Sequence, residues 1–300
     1  MMKTRAVILL SAHGYCPYLA EQVKSIVGQM EDADLLVIVD DGSRAVCWEE
    51  IADHLPSNYQ YWSRLENIGY SRSFLDLLFE DYGGHTAWYF FSDQDDTWMS
   101  EKISTQKKIT TPDVISVQGV LIDCAKSHNK APDERELLPI KQKSHYHYYF
   151  ETPAPGMTFC IGSGMRSLLA NEKNAIWQAA SILPHDRIIA GIAGAYNKIV
   201  IENDAFVLYR QHDSNAIGAQ KQNQLRKRLG QISRYKNIFT QTMISGNLAL
   251  EVEKNKSNSV KSKKAIYHQQ LRISVIESFF LRVLVYFLSQ YKKEFKLGDK

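Results

Sequence analysis

Short runs of unbroken hydrophobicity alternate with segments of helical spacing along most of this chain. Ala6–Ser11 is apolar up to its last residue and too short for a helix, so it reads as a buried strand. Pro17 then opens a helix through about Gly28, with Leu19, Val23, Ile26 and Val27 on one face. Leu35–Val39 is a second buried strand that runs into Asp40-Asp41-Gly42-Ser43, and Tyr59–Trp62 alternates weakly as a third. Tyr70–Tyr82 places Phe74, Leu77, Leu78 and Phe79 at helical intervals before Gly83-Gly84 stops it. Ala87–Phe91 is a strand that leads directly into Ser92-Asp93-Gln94-Asp95-Asp96. This rhythm of strand and helix predicts an α/β fold, a mostly parallel sheet with helices on its faces.

Beyond it, Val114–Ile122 reads as a strand, 126–155 as a long polar loop, Ile161–Leu169 and Asp186–Tyr196 as helices, and Lys198–Ile201 and Ala205–Tyr209 as two short strands. From Gln220 onward proline is absent and the pattern is helical. The expected organisation is a catalytic domain over 1–218 and a basic helical tail over 219–300.

Charge sharpens that division. Residues 1–219 hold 19 Lys and Arg against 28 Asp and Glu, whereas 220–300 hold 17 against 5, so an acidic body carries a basic tail within a net +3. A chain of 300 residues with 44% hydrophobic content buries an ordinary core, which excludes disordered and disulfide-dense classes. Cys16, Cys47, Cys124 and Cys160 show no metal spacing and read as reduced thiols of an intracellular protein. The apolar run after Met1-Met2-Lys3 is too short for a signal peptide.

The chemistry concentrates at two strand ends. Ligands of open parallel sheets bind beyond the carboxyl ends of the strands, where Asp40-Asp41 and Asp93–Asp96 both fall. Carboxylates gathered on one edge repel one another unless a cation or hydrogen-bond donors compensate, and a divalent metal completed by substrate phosphate is one solution. The plainer alternative makes Asp40–Ser43 a turn and Asp95-Asp96 the N-cap of a helix over 98–108.

The order Val39-Asp40-Asp41-Gly42-Ser43, Asn67-Ile68-Gly69, Ser92-Asp93-Gln94-Asp95-Asp96-Thr97-Trp98, then Pro184-His185-Asp186-Arg187 and Leu208–Asn215 with Gly218, resembles the inverting family-2 glycosyltransferases of the GT-A fold. More narrowly it is similar to the rhamnosyltransferase-like branch that builds bacterial surface polysaccharides. The resemblance spans residue 5 to about 218. It implies a nucleotide-diphospho-sugar donor, dTDP-rhamnose or a UDP-hexose, and a saccharide acceptor, with a lipid-linked chain as one form of it. Ser11 and His13 would line the base, Asp41 would accept a hydrogen bond from it, and Asp40 would support that turn. Asn67, Gly69 and Arg72 would lie beside the nucleotide, and Asp93 would face ribose or sugar. Asp95 would hold a divalent metal, Mn or Mg, against the leaving diphosphate. Asp186 matches the base that takes the proton of the acceptor hydroxyl. His212 would complete the metal shell or else serve as a polar packing residue, and Arg210 would meet a donor phosphate or else form a salt bridge. Gly156 and Met157–Gly164 would line the acceptor side or simply pack, and Trp98 would border the donor sugar or belong to the core. In this chain His185 precedes the base where Glu is common, and Arg187-Ile188 follows where an aromatic residue is common in the branch.

Two rival readings stand beside this one. Asp93-Gln94-Asp95-Asp96-Thr97 fits the D-x-D-x-T signature of haloacid-dehalogenase-like phosphatases, with Asp93 as nucleophile and Asp95 as acid/base, although about 90 residues precede it and no later acidic pair ends a strand. The body could also be a non-catalytic, degenerate transferase subunit, which the presence of both D-x-D carboxylates and Asp186 argues against. In the tail, the lysines and arginines of 220–270 accompany no nucleic-acid motif, so no nucleic acid is expected as partner. Ile273–Leu288 is too short and too charged to span a bilayer and reads as an amphipathic interfacial helix, or as a helix packed on the catalytic domain or in a dimer. A cytoplasmic protein, peripheral on the inner face of the membrane if the tail binds lipid, is the expectation.

Overall fold

In a computed structural model of the chain, the described residues are 4–43, 48–124, 134–138, 140, 145–212 and, in the tail, 241, 244–246, 248, 249 and 252. The elements in chain order are β1 (Arg5–Ala12), α1 (Leu19–Val27), β2 (Leu35–Asp40), α2 (Trp48–Ala52), β3 (Tyr59–Ser63), α3 (Tyr70–Phe79), β4 (Thr86–Ser92) and β5 (Thr97–Trp98). There follow α4 (Lys102–Ile109), β6 (Ile115–Cys124), β7 (Leu137–Leu138), β8 (Phe159–Gly162), α5 (Ser163–Asn171), α6 (Lys173–Ala179), α7 (His185–Ala195) and β9 (Ile199–Gln211), with 3-10 turns at His145–Tyr149 and Gly156–Thr158.

One sheet runs in the order β3-β2-β1-β4-β8-β6-β9-β5, with β7 paired to β6. The parallel part is β3-β2-β1-β4, and the pairs β4–β8, β6–β8, β6–β7 and β5–β9 are antiparallel. Every residue of β2 is buried, as a continuous apolar strand covered on both faces must be. β1 sits between β2 and β4 in register, Leu10 facing both Ile38 and Ser92; β1 and β2 end level at Ala12 and Asp40, and β4 ends two residues earlier at Ser92. That common end carries Ser11, Asp40 and Asp93 together. Helix α3 packs against β1, and α5 against β4 and β8.

By compactness the chain divides into two units. The first is Met1–Ile140, Ala154–Asn171 and Val200–Lys221; the second is Lys141–Pro153, Glu172–Ile199 and Gln222–Lys300. Each unit is built from several separate stretches of the chain, and Asp186 belongs to the second. Within that second unit α7 packs on the turn His145–Tyr149. Small residues allow a close fit: an added Cβ on Gly191 would lie 3.6 Å from Ser245 Oγ and 3.8 Å from Ala249 Cβ, and one on helical Gly246 would lie 2.3 Å from the Phe150 ring. Arg187 donates to the Phe150 carbonyl and Gln241 to that of Ile182, which tie the same pieces together.

Several local expectations change. The helix expected over 98–108 begins at Lys102, because Thr97–Trp98 pairs with β9 as β5. Ile161 and Gly162 close β8 before α5 begins, since Ile161 is claimed by both β4 and β6. The two short strands near the end of the body are one strand, β9, carried through the polar Glu202–Asp204. Helices α2 and α6 have no counterpart in the sequence reading, and β7 with the turn at His145–Tyr149 lies within the segment expected to be loop. The tail segments 220–240 and 253–300, Asp213–Gly218 and Cys47 lie outside the described residues. Of the remaining cysteines, Cys16 and Cys160 are buried free thiols.

Candidate active site

The first unit gathers two groups of expected residues at the carboxyl ends of its parallel strands. One group forms around Asp41. This side chain is only 2% exposed and turns away from solvent toward the segment that follows β3. Its Oδ1 accepts from Ile68 N (3.2 Å) and Arg64 Nη1 (3.4 Å), and its Oδ2 from Gly69 N (3.1 Å). Asp40, equally buried, accepts from the Ser43 backbone N–H and hydroxyl, so it closes the turn after β2. Gly42 is required there. Its φ is +77°, and a Cβ would lie 2.3 Å from Asn67 N, so only glycine lets the 66–67 backbone pass.

Asn67 folds back to accept from Gly69 N (2.6 Å), and Gly69, at φ +85°, is the N-cap of α3. His13, exposed just past β1, bridges the same pieces. Its Nδ1 lies 3.0 Å from the Asp41 carbonyl, and Asn67 Nδ2 lies 3.2 Å from its Nε2. With the proton on Nδ1, the ring donates to Asp41 and accepts from Asn67. Ser11 Oγ is 2.7 Å from Ser73 Oγ, which in turn accepts from Arg64 Nη1 at 2.8 Å. Arg64 also pairs with Asp76 at 2.6 Å, and Arg72 lies half-buried in the first turn of α3.

The second group surrounds the loop after β4. Asp93 and Asp95 are half-buried, whereas Asp96 is fully buried. Asp96 Oδ1 accepts from the Arg210 backbone N–H at 3.2 Å. Its carboxyl is held well above the usual carboxylate range by burial and then by the charges of Asp93 and Asp95. The end of β9 comes to the same place. His212 Nε2 lies 2.9 Å from Asp95 Oδ2, and its ring packs near Tyr18, 5.3 Å between centroids. Arg210 is engaged by protein: Nε donates to the Asp95 carbonyl (3.2 Å), Nη2 to Glu21 (2.8 Å) and to Thr97 Oγ1 (3.2 Å), and the guanidinium lies 4.2 Å over the Tyr18 ring. The Gln22 amide supports the loop from inside α1. With its oxygen toward Ser92 Oγ and Trp98 Nε1, its nitrogen donates to the Asp96 carbonyl at 2.8 Å.

Trp98, 3% exposed, is a core residue whose indole lies under Lys102 Nζ at 4.6 Å. Burial pulls that ammonium down to about 7, and Gln106 takes its hydrogen bond. Gly156, Met157, Thr158, Phe159, Cys160 and Ile161 are buried as core.

Among the described residues no three ligand-type side chains converge on one point. Asp95 and His212 nevertheless present a carboxylate oxygen and an imidazole nitrogen within 2.9 Å of each other. Two such ligands fit a hard divalent cation whose remaining positions go to water and substrate phosphate.

In the second unit, Asp186 and His185 start α7, with Pro184 as N-cap. Asp186 Oδ1 accepts from Arg187 N at 2.7 Å, yet burial pushes its carboxyl up to about 6 against that hydrogen bond and the Arg187 charge. Burial alone pulls the His185 imidazole down to about 3, so it is neutral at pH 7.

Sequence reasoning did not single out Arg64, Gln94, Tyr18 or Glu21. A cation directly after a strand whose neighbour ends in Asp-Asp was the available signal for Arg64. The others declare themselves only through contacts across the fold.

The sequence matches the family described as Glycosyl transferase family 2 over residues 7–170, more than half of the chain. It is 29% identical over 227 residues to the dTDP-rhamnosyl transferase RfbG of Shigella flexneri, an alignment covering 69% of this chain and 72% of that protein. Among solved structures it is similar to S. aureus TarS 1-349 in complex with UDP-GlcNAc, with a TM-score of 0.52 at 14% identity, covering 96% of this chain and 81% of that one. The same TarS segment in complex with UDP gives a TM-score of 0.50 at 13% identity, covering 93% and 81%. These two likenesses concern the fold, a mixed α/β GT-A architecture. The match to a glycosyltransferase family displaces the phosphatase reading of Asp93 and Asp95.

Proposed function

As a member of glycosyl transferase family 2 the chain is a nucleotide-sugar glycosyltransferase, and we propose that it transfers rhamnose from dTDP-rhamnose, or a hexose from its UDP form, to a hydroxyl of a growing surface polysaccharide or oligosaccharide with inversion. The similarity to a dTDP-rhamnosyl transferase supports the donor. The observation that carries the reading is the meeting of Asp95 and His212, at the ends of β4 and β9, in a loop beside the segment organised by Asp41.

Donor binding divides between the two groups. Exposed His13 and Asn67, with Ser11 and Arg72 behind them, contact the nucleoside and its first phosphate. Asp41 holds the 67–69 loop that presents them, because its carboxylate already accepts from Ile68, Gly69 and Arg64. Asp40 closes the adjoining turn. Asp93 faces ribose or sugar. Asp95 and His212 would hold Mn2+ or Mg2+, which when bound neutralises the charge developing on the leaving diphosphate. Arg210, paired with Glu21, keeps the Asp95 backbone and β9 together and serves the phosphates through that scaffold.

Asp186 acts as general base. A carboxyl raised to about 6 is ionised at neutral pH yet basic enough to accept the proton of the attacking hydroxyl as the glycosidic bond forms. The acceptor oxygen displaces the diphosphate in one step, so no covalent intermediate forms on the protein. The tail, with its basic composition, gives the enzyme affinity for an anionic lipid surface on which a lipid-linked acceptor would reside.

The test is turnover of dTDP-rhamnose and UDP-glucose by the full chain, with and without Mn2+, followed by release of nucleoside diphosphate. Metal-dependent release from dTDP-rhamnose, lost in Asp95→Asn, is the expected result. Release that is equal with Mn2+ and with EDTA in its place would reject the metal-assisted step.

A further inference from the structure

We propose that Gln94, the middle residue of the Asp93-Gln94-Asp95 sequence, is a positioning residue that locks the end of β1 to the acidic loop and thereby presets the base-side and cation-side halves of the donor site relative to each other. The inference rests on the donor-site reading above.

Gln94 Oε1 accepts from His13 N at 2.8 Å, and Gln94 Nε2 donates to His13 O at 3.1 Å, across a separation of 81 residues. Both polar groups of one side-chain amide are thus spent on both backbone groups of one residue. The reason lies in the sheet. β1 and β4 pair in parallel only as far as Leu10 and Ser92, after which the two chains part. His13 lies beyond the last ladder bond, and the Gln94 amide replaces the missing neighbour. The Cys16 thiol donates to the Gln94 carbonyl at 3.5 Å, a third tie between the same two loops.

The residues so joined belong to different halves of the site. His13 touches the Asp41 carbonyl and Asn67, whereas Gln94 is flanked by Asp93 and Asp95. A nucleoside diphosphate engages both halves at once only when it also meets the cation, so fixing their separation beforehand lowers the ordering cost of binding the two together. The clamp should therefore appear as coupling between nucleotide and cation and not as affinity for either alone.

The experiment compares the full chain with Gln94→Met, which keeps length and loses the amide, and with Gln94→Ala. Amide exchange of His13 should accelerate in both variants while Val7–Leu10 keep their protection, which also verifies folding. By titration, Mn2+ should tighten dTDP binding about tenfold less in the variants than in the wild type, the effect of losing roughly two neutral hydrogen bonds. Binding of Mn2+ alone and of dTDP without metal should each change less than about threefold. Unchanged His13 exchange, or an unchanged Mn2+–dTDP coupling, overturns the clamp and leaves the donor site standing. A loss confined to Mn2+ alone or to metal-free dTDP likewise overturns it. A wild-type chain that binds neither dTDP nor UDP in Mn2+ overturns the donor-site reading and the inference together.

Discussion

Asp41 and Gly69, 28 residues apart, are joined by a hydrogen bond of 3.1 Å from the Gly69 N–H to a carboxylate that is almost wholly buried. Together with the Ile68 N–H this bond determines where α3 begins and holds the exposed Asn67 side chain next to His13. Removing the carboxylate by Asp41→Ala takes the acceptor from the Ile68 N–H, leaves the Gly69 N–H to Asn67 Oδ1 alone, and leaves Arg64 with one acidic partner fewer. The expected cost is about 2–4 kcal/mol in urea unfolding, with a weaker nucleotide affinity alongside. A midpoint within experimental error of the wild type would show that the loop stands without Asp41.

Gly42→Ala tests the same region sterically. The new Cβ would lie 2.3 Å from both Asn67 N and Glu66 C on a residue with φ +77°, and the obstacle is backbone, which cannot swing aside. A loss of at least about 2 kcal/mol and a raised KM for donor are expected. Calorimetry and initial rates check both, and a Tm equal to the wild type's would mean the 66–69 segment yields freely.

For the Asp95–His212 pair, Asp95→Asn and His212→Ala should each weaken Mn2+ binding, by about tenfold or more, since the ligand set offered by protein is small. Electron paramagnetic resonance of free Mn2+ measures it directly. Retention of full affinity in His212→Ala would assign the imidazole to packing against Tyr18.

Asp186 should govern the acid limb of activity. With its carboxyl near 6, kcat/KM rises with pH through about 6 and levels above it, and Asp186→Asn abolishes turnover while leaving dTDP affinity unchanged. Stability follows the opposite sense. A carboxyl raised in the folded state contributes most below its unfolded value near 3.8 and loses that contribution as pH rises through 6, so the Asn variant should be the more stable above pH 6. A flat rate profile between pH 5 and about 7 would remove Asp186 from the base role.

His185 supplies a stability window of its own. Its imidazole is depressed to about 3, so its contribution is complete above the unfolded value of 6.5 and disappears as pH falls from 6.5 toward 3, at about 1.4 kcal/mol per pH unit. Asp186 runs the other way between 6 and 3.8, so the measurement belongs in the Asp186→Asn background, where His185→Gln should flatten the loss. An equally steep acid transition in the double variant would place the titrating group elsewhere.

What the sequence determined by itself is local. Unbroken apolar runs as short as Leu35–Val39 read as strands covered on both faces, and the helical spacing of Phe74, Leu77 and Leu78 presents one apolar stripe. Those two facts put Asp40-Asp41 and Asp93–Asp96 at strand ends, and hence at one edge of a parallel sheet. Where the sequence misled, as at Thr97–Trp98 and Ile161-Gly162, a short segment was claimed by strands far away in the chain, which no periodicity records. The tertiary structure alone decided the partners. Arg210 meets Glu21 across 189 residues, His212 meets Asp95 across 117, and Gln94 clasps His13 across 81. A side chain's burial is written in its neighbours' spacing, but the direction of its hydrogen bond depends on which loops the sheet order brings together, and that order exists only once the chain has folded.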